Sequence, residues 1–229
     1  MSLKKPTGDM YPFIDAIWNP VSGKCFHDCS YCYVKRIMNR TGLKQNSPHL
    51  NVNEFHCKMG IGKTIFVCSG CDLFAPDVPD EYILMVINHT LKFWANKYIF
   101  QTKNPERIIP LAFCLSADIH KICTTIETDS HYACMGNTPP PNERALAMQK
   151  LSIKGFETMV TIEPIMDFSL KPMLRMIKMT GASQVNIGAD TGNNHLIEPP
   201  KDKILELISK LEKFTEVVQK KNLRRIIGE

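Results

Sequence analysis

Cys25-Phe26-His27-Asp28-Cys29-Ser30-Tyr31-Cys32-Tyr33 sets three cysteines at C-x3-C-x2-C spacing in one short stretch. Thiolates are soft ligands suited to iron–sulfur clusters or zinc. A [4Fe–4S] cube is ordinarily held by four cysteines. Three in a tight loop, with no fourth ligand nearby in sequence, point to a cube with one open iron, and an open iron can bind a reactant. Two other readings fit the spacing alone: a zinc loop completed by His27, and buried free thiols.

The residues on either side give the loop its setting. Tyr11 to Trp18 reads as a strand that Asn19-Pro20 ends, and Tyr33 to Arg40 reads as a helix with Lys35, Arg36 and Arg40 toward its C-terminus, where cations suit the helix dipole. Residues 41–62 are polar and irregular and are expected to form an insertion over one face. Thr64-Ile65-Phe66-Val67-Cys68 is an apolar, β-branched run, the pattern of a buried strand. Further strands are expected at Lys97–Gln101, Ile122–Ile126, Thr158–Ile162 and Gln184–Ile187. Between them lie helical patterns at Asp80–Phe93, Asn142–Ile153 and Leu170–Met179, and Asn104-Pro105 reads as the cap and first residue of another helix. A final amphipathic helix is expected over Lys201–Lys220, through Ile204, Leu207, Ile208, Leu211 and Val218.

Six strands alternating with helices imply a parallel sheet of βαβ units in one α/β domain spanning residues 1–229. At about 30 residues per unit, six units need on the order of 180 residues. An eight-stranded barrel typically takes about 250, so eight would be tight. Alternation alone does not separate an open Rossmann-like sheet from an incomplete barrel.

Composition narrows the class. Hydrophobic residues make up 44% and charged residues 22%, which describes a folded globular chain rather than a disordered one. The net charge of +5 permits a phosphate-bearing partner without demanding one. No run approaches the roughly 18 apolar residues of a membrane span, and Met1-Ser2-Leu3-Lys4-Lys5 leads into no apolar signal region. Nine cysteines with no evident signal lead to the expectation of a reducing cytoplasm and metal binding rather than disulfides.

In parallel α/β folds the active site lies at the carboxyl ends of the strands. Those ends carry polar residues throughout: Ser69 and Asp72, Thr102, Lys103 and Asn104, Thr125, Glu127 and Thr128, Glu163, Asp190 and Thr191. Each alone is also an ordinary cap or turn residue; Lys103 reads equally as a solvated residue. Cys68 and Cys71 form a C-x2-C pair that, with Cys57, offers a second metal or a redox pair, or else simply packs. Cys114, Cys123 and Cys134 read as packing residues. The basic run Lys220–Arg225 is expected to balance the last helix dipole, with nucleic-acid contact as the other reading; it lacks the aromatic interleaving of a single-strand groove.

The cysteine motif, with Tyr31 before the third cysteine, resembles the radical S-adenosylmethionine (SAM) superfamily. Trp18-Asn19-Pro20, Gly23-Lys24-Cys25 and Ser30-Tyr31-Cys32-Tyr33-Val34-Lys35-Arg36 look closer still to a largely phage-associated family of three-cysteine-motif proteins, with a more distant likeness to the spore photoproduct lyases. The resemblance implies a partial (β/α)6 TIM-type barrel. It implies that Cys25, Cys29 and Cys32 hold a [4Fe–4S] cluster whose fourth iron binds SAM. It further implies that Tyr31, Ser69, Asp72, Thr125, Glu127, Glu163, Gly188 and Asp190 surround SAM, with the glycine admitting the adenine close to the backbone. Reductive cleavage of SAM to a hydrogen-abstracting 5′-deoxyadenosyl radical then follows, fed by an external flavodoxin- or ferredoxin-like electron donor. A nucleobase or nucleotide is the first expectation for the substrate. The rival from another class is a non-catalytic zinc or iron–sulfur module that recruits nucleic acid or a protein.

Overall fold

The structure, a computed structural model, describes residues 2–42 and 46–228. In chain order it contains β1 (Ala16–Trp18), β2 (Val21–Ser22), α1 (Tyr33–Thr41), β3 (His49–Leu50), β4 (Thr64–Val67), α2 (Asp80–Lys92), β5 (Lys97–Thr102), β6 (His120–Thr125) and α3 (Pro141–Ile153). There follow β7 (Glu157–Ile162), α4 (Leu170–Met179), β8 (Gln184–Ile187), α5 (Lys201–Leu211), β9 (Glu216–Gln219) and α6 (Arg224–Ile227). Seven strands form one sheet in the order β1-β4-β5-β6-β7-β8-β9, every neighbouring pair parallel.

The register explains why these strands read as continuous apolar runs. Both faces are covered, as parallel sheets require. Ile17, Phe66, Ile99, Cys123 and Met159 come from five successive strands and meet in one compact cluster with Tyr11 and Ile14. The alternate positions, among them Trp18, Ile65, Val67, Tyr98, Phe100 and Ile122, belong to a larger core that takes in the α2 residues Ile83, Val86 and Ile87. Val160, Ile162, Val185 and Ile187 join a second core with residues of α4 and α5. A small inner cluster and large helix-backed outer cores mark a curved sheet, a partial TIM-type barrel.

The structure corrects three details of the sequence reading. The sheet has seven strands rather than six. The expected helix over 201–220 stops at Leu211, and Glu216–Gln219 form β9, pairing Val185↔Val217 and Asn186↔Val218. Thr215, Val217 and Val218 are β-branched, and a sheet edge at β8 offers them a ladder. The first strand is shorter than expected. Tyr11 and Ile14 leave the strand path and fill the barrel interior, and β1 begins only at Ala16.

Of the expected insertion at 41–62, residues 43–45 lie outside the described residues. Its later part returns through β3, which pairs antiparallel with β2 through Val21↔Leu50 and Ser22↔His49. Gly23, at φ +134°, admits this return: a Cβ there would sit 2.7 Å from the Ser47 carbonyl oxygen.

Candidate active site

The cysteine loop begins just after β2 and ends where Cys32 caps α1. A segment distant in sequence holds it from outside. The Asn137 amide donates to the His27 carbonyl at 2.7 Å, the Ser30 amide to the Cys134 carbonyl at 2.8 Å, and the Asn137 side-chain amide to the Phe26 carbonyl at 3.0 Å. Gly136, at φ +63°, makes this approach feasible, because a Cβ would stand 2.1 Å from the His27 carbonyl oxygen. From inside, His27 Nε2 meets Asp72 Oδ2 at 2.9 Å, and the ring is buried.

Cys25, Cys29 and Cys32 are free thiols and line one cavity of about 590 Å³ at the carboxyl ends of the strands. Burial pushes the Cys25 thiol up to about 12 and raises that of Cys29, which Lys103 partly opposes. Such thiols surrender their protons to a bound metal rather than to water. Among the described residues, no three His, Cys, Asp or Glu side chains converge on a single-ion position; His27 meets Asp72 through Nε2, while its buried Nδ1 has no hydrogen-bond partner among them. A cube spreads its ligands over separate irons, and three free thiols presented from one loop into one cavity suit that kind of ligation.

Of the other residues singled out from sequence, Tyr31, Ser69, Asp72, Thr125, Glu163 and Asp190 line the same cavity. Asp72 is a clip between loops: Oδ2 faces His27 and accepts from Thr102 Oγ1 at 3.0 Å and the Lys103 amide at 2.8 Å, while Oδ1 accepts from the Phe74 amide at 3.0 Å. Burial works against its charge, and these donors outweigh burial, leaving its carboxyl below the ordinary range. Ser69 donates through both its amide and its hydroxyl to Asn19 Oδ1. Asp190 closes its own loop by accepting from the Gly192 and Asn194 amides at 2.9 and 2.7 Å.

Glu127 and Gly188 stand behind the cavity wall. Glu127 is fully buried; Tyr31 donates to Oε1 at 2.5 Å, Lys103 Nζ also reaches Oε1, and Arg144 Nη1 donates to Oε2 at 2.9 Å. Gly188 leaves room for Glu163 and Asn222, which a Cβ would meet at 2.7 and 2.9 Å. Glu163 in turn accepts from Lys220 Nζ at 2.5 Å and from Asn222 Nδ2 at 2.7 Å.

Arg144 escaped the sequence reading. Its signal was present: Arg144, Ala145, Met148 and Leu151 share the buried face of α3, so a guanidinium there needed a buried acceptor. Lys103 is not a solvated residue; its ammonium donates to the Tyr31 hydroxyl at 2.8 Å and lies 4.5 Å from the ring centre. Lys220, expected at a helix end, follows β9 and lines the cavity. Cys68 and Cys71 share the cavity, whereas Cys57 is apart from it, 3.9 Å from Glu54 Oε2. Cys123 is in the inner cluster, and Cys134 belongs to the segment bracing the loop.

A family model described as "Protein of unknown function (DUF5131)" matches residues 10–198, most of the chain. The chain belongs to the DUF5131 family. No curated protein matches this DUF5131 chain. Among solved structures, a cysteine-to-alanine mutant of spore photoproduct lyase is similar at 12% identity with a TM-score of 0.66, over 93% of this chain and 78% of that one. Spore photoproduct lyase complexed with dinucleoside spore photoproduct is 15% identical with a TM-score of 0.58, over 90% of this chain and 64% of the other. A double mutant with bound AdoMet and dinucleoside spore photoproduct gives 15% and 0.57 over the same shares. The DUF5131 chain thus spans about two thirds of the length of these last two proteins, and likeness at such identity establishes the fold.

Proposed function

We propose that this DUF5131 protein is a radical SAM enzyme. The observation that carries the reading is the convergence of three free cysteines at C-x3-C-x2-C spacing on the same cavity as Tyr31, Ser69, Asp72, Thr125, Glu163 and Asp190. When bound, a [4Fe–4S] cluster and SAM supply reductive cleavage to methionine and a hydrogen-abstracting 5′-deoxyadenosyl radical. In this reading Cys25, Cys29 and Cys32 hold the cluster. Asp72 and Gly136 fix the loop that presents them, and Ser69, Thr125, Glu163 and Asp190 offer polar contacts to SAM from four strand ends. Glu127 acts on SAM only through Tyr31 and Lys103, and Gly188 only by making room for Glu163.

A nucleobase or nucleotide is the proposed substrate, supported by the net charge of +5 and the largely phage-associated family that the motif resembles. The spore photoproduct lyase structures, two of them bound to a dinucleoside, point the same way. An external flavodoxin- or ferredoxin-like protein is the proposed electron donor. Nine free cysteines suit a reducing compartment, which makes the cytoplasm the proposed location. No helix among the described residues is long and apolar enough to cross a membrane.

Anaerobic reconstitution with iron and sulfide, followed by reduction with SAM present, tests the reading. The expected result is a brown protein that forms 5′-deoxyadenosine, an activity that Cys29→Ala loses. A colourless protein that takes up zinc and no cluster would replace the enzyme with a structural metal module.

A further inference from the structure

Helix α1 contributes no buried residue, although it flanks the cysteine loop and its residues Tyr33–Ile37 line the cavity. Tyr33 and Ile37 remain 47% and 40% exposed. Val34 and Met38 are half-buried and the Tyr33 hydroxyl donates to the Ser69 carbonyl, but the core makes no use of the helix's cations. The helix carries Lys35, Arg36 and Arg40 and no acidic residue. Among the described residues, Asp28 takes up Lys35, whereas Arg36, Arg40 and nearby Lys24 enter no ion pair.

Two further exposed aromatics belong to the cysteine loop and to the segment that braces it. Phe26 lies within the cysteine loop and is 42% exposed, and Tyr132 is 43% exposed at the start of the segment that braces the loop through Cys134 and Asn137. Scattered exposed aromatics are ordinary. Three on one loop and its flanking segments, with Lys24, Arg36 and Arg40 close to two of them in the chain and Arg36 donating only to the Thr191 carbonyl at 2.8 Å, are the make-up of a single-strand platform: cations track phosphates while rings stack bases. Near Lys220–Arg225 the sequence lacks this interleaving. Folding creates it elsewhere, from residues 26, 33 and 132.

We infer that Phe26, Tyr33 and Tyr132, with Lys24, Arg36 and Arg40, form a platform for a single-stranded polynucleotide that presents an unpaired base to the cavity. This deepens the proposed function, on which it rests for the chemistry but not for the binding. A free nucleotide would leave most of the platform unused. An acidic protein would engage the cations but would have little need of three stacking rings.

The test is fluorescence anisotropy of the full chain with labelled oligo-dT and oligo-rU of about twelve nucleotides, measured across salt concentration. The wild type binds one or both, and the preference identifies DNA or RNA as the source. Lys24→Ala/Arg40→Ala shallows the slope of log affinity against log salt by about 1.4, two phosphate contacts' worth. Phe26→Ala/Tyr132→Ala weakens binding on the order of tenfold and leaves that slope unchanged. All four side chains are exposed, and melting curves confirm that the variants fold. No binding at low salt overturns the inference. So does an aromatic variant that binds as the wild type while the cation variant fails, which would mark these residues as a docking face for an acidic protein. Formation of 5′-deoxyadenosine is measured separately without oligonucleotide, so either reading can fail while the other stands.

Discussion

Glu127 gathers a tyrosine, a lysine and an arginine onto one carboxylate with no exposure to water. Burial alone would raise its pKa, but Arg144 and Lys103 outweigh burial and hold it well below the usual carboxylate range. Glu127→Gln leaves the buried Arg144 guanidinium without a counter-charge. The expected loss is roughly 3–5 kcal/mol in urea unfolding, against about 0–1 kcal/mol for breaking the exposed Lys150–Glu106 pair. Equal losses would mean that Glu127 is not the anchor described. A second group sets the response to mild acid. His120 accepts from the Ser116 amide through Nδ1 and so offers Nε2–H to Thr90 Oγ1 at 2.7 Å; burial lowers its pKa to about 4. A histidine depressed in the folded state stabilises fully above its unfolded value near 6.5, and that stability is lost as pH falls toward the folded value. Roughly 3 kcal/mol is therefore expected to disappear between about pH 6.5 and 4. His120→Asn, less stable at neutral pH, should lose most of that slope and keep the part contributed by His89, whose pKa burial also lowers. A wild-type profile already flat there would remove His120 from the account.

At the scale of elements, the cysteine loop depends on the residue 133–137 segment as much as on its own residues. Gly136→Ala places a methyl group against the His27 and Asp28 carbonyls at a backbone angle unfavourable to alanine. The loop must move, so reconstituted Gly136→Ala should retain less iron and show faster proteolysis within 25–32, while the sheet cores keep their far-UV signature. Iron retention equal to the wild type would show that the brace is dispensable. Local signals account for what could be read from sequence here. The α4 helix appears at the expected Leu170–Met179, and α2 lacks only Phe93 of the expected range, because helical periodicity is a near-neighbour property. The cysteine spacing was legible for the same reason. The brace was not: Gly136 looks like any loop glycine until His27, over a hundred residues earlier, lies against it. Likewise β9 was read as the end of a helix, since its conversion to strand depends on the β8 edge being there to receive it.

Across the whole molecule, the sheet ends at β1 on one side and β9 on the other, and side chains rather than a hydrogen-bonded ladder join the two regions. Tyr11, just before β1, packs into the inner cluster, donates to Gln101 Oε1 at 2.7 Å and lies with its ring centre 5.0 Å from Lys220 Nζ. Lys220, just after β9, continues the contact to Glu163 on the cavity wall. One seam thus ties barrel closure to the geometry of the candidate site, whose cavity Tyr11 and Lys220 both line although neither matches a sequence motif. Removing the ring by Tyr11→Ala should cost about 3–5 kcal/mol. Tyr11→Phe, which keeps the ring and loses only the bond to Gln101, should cost about 1 kcal/mol. The distribution of the effect matters more than its size. If the seam holds the two sheet regions together, amide exchange in Tyr11→Ala should quicken at β1 and β9 first and leave the central β6 and β7 protected, since stability is lost region by region. A uniform rise in exchange across all seven strands would instead make Tyr11 an ordinary core residue with no special part in joining the two ends of the sheet.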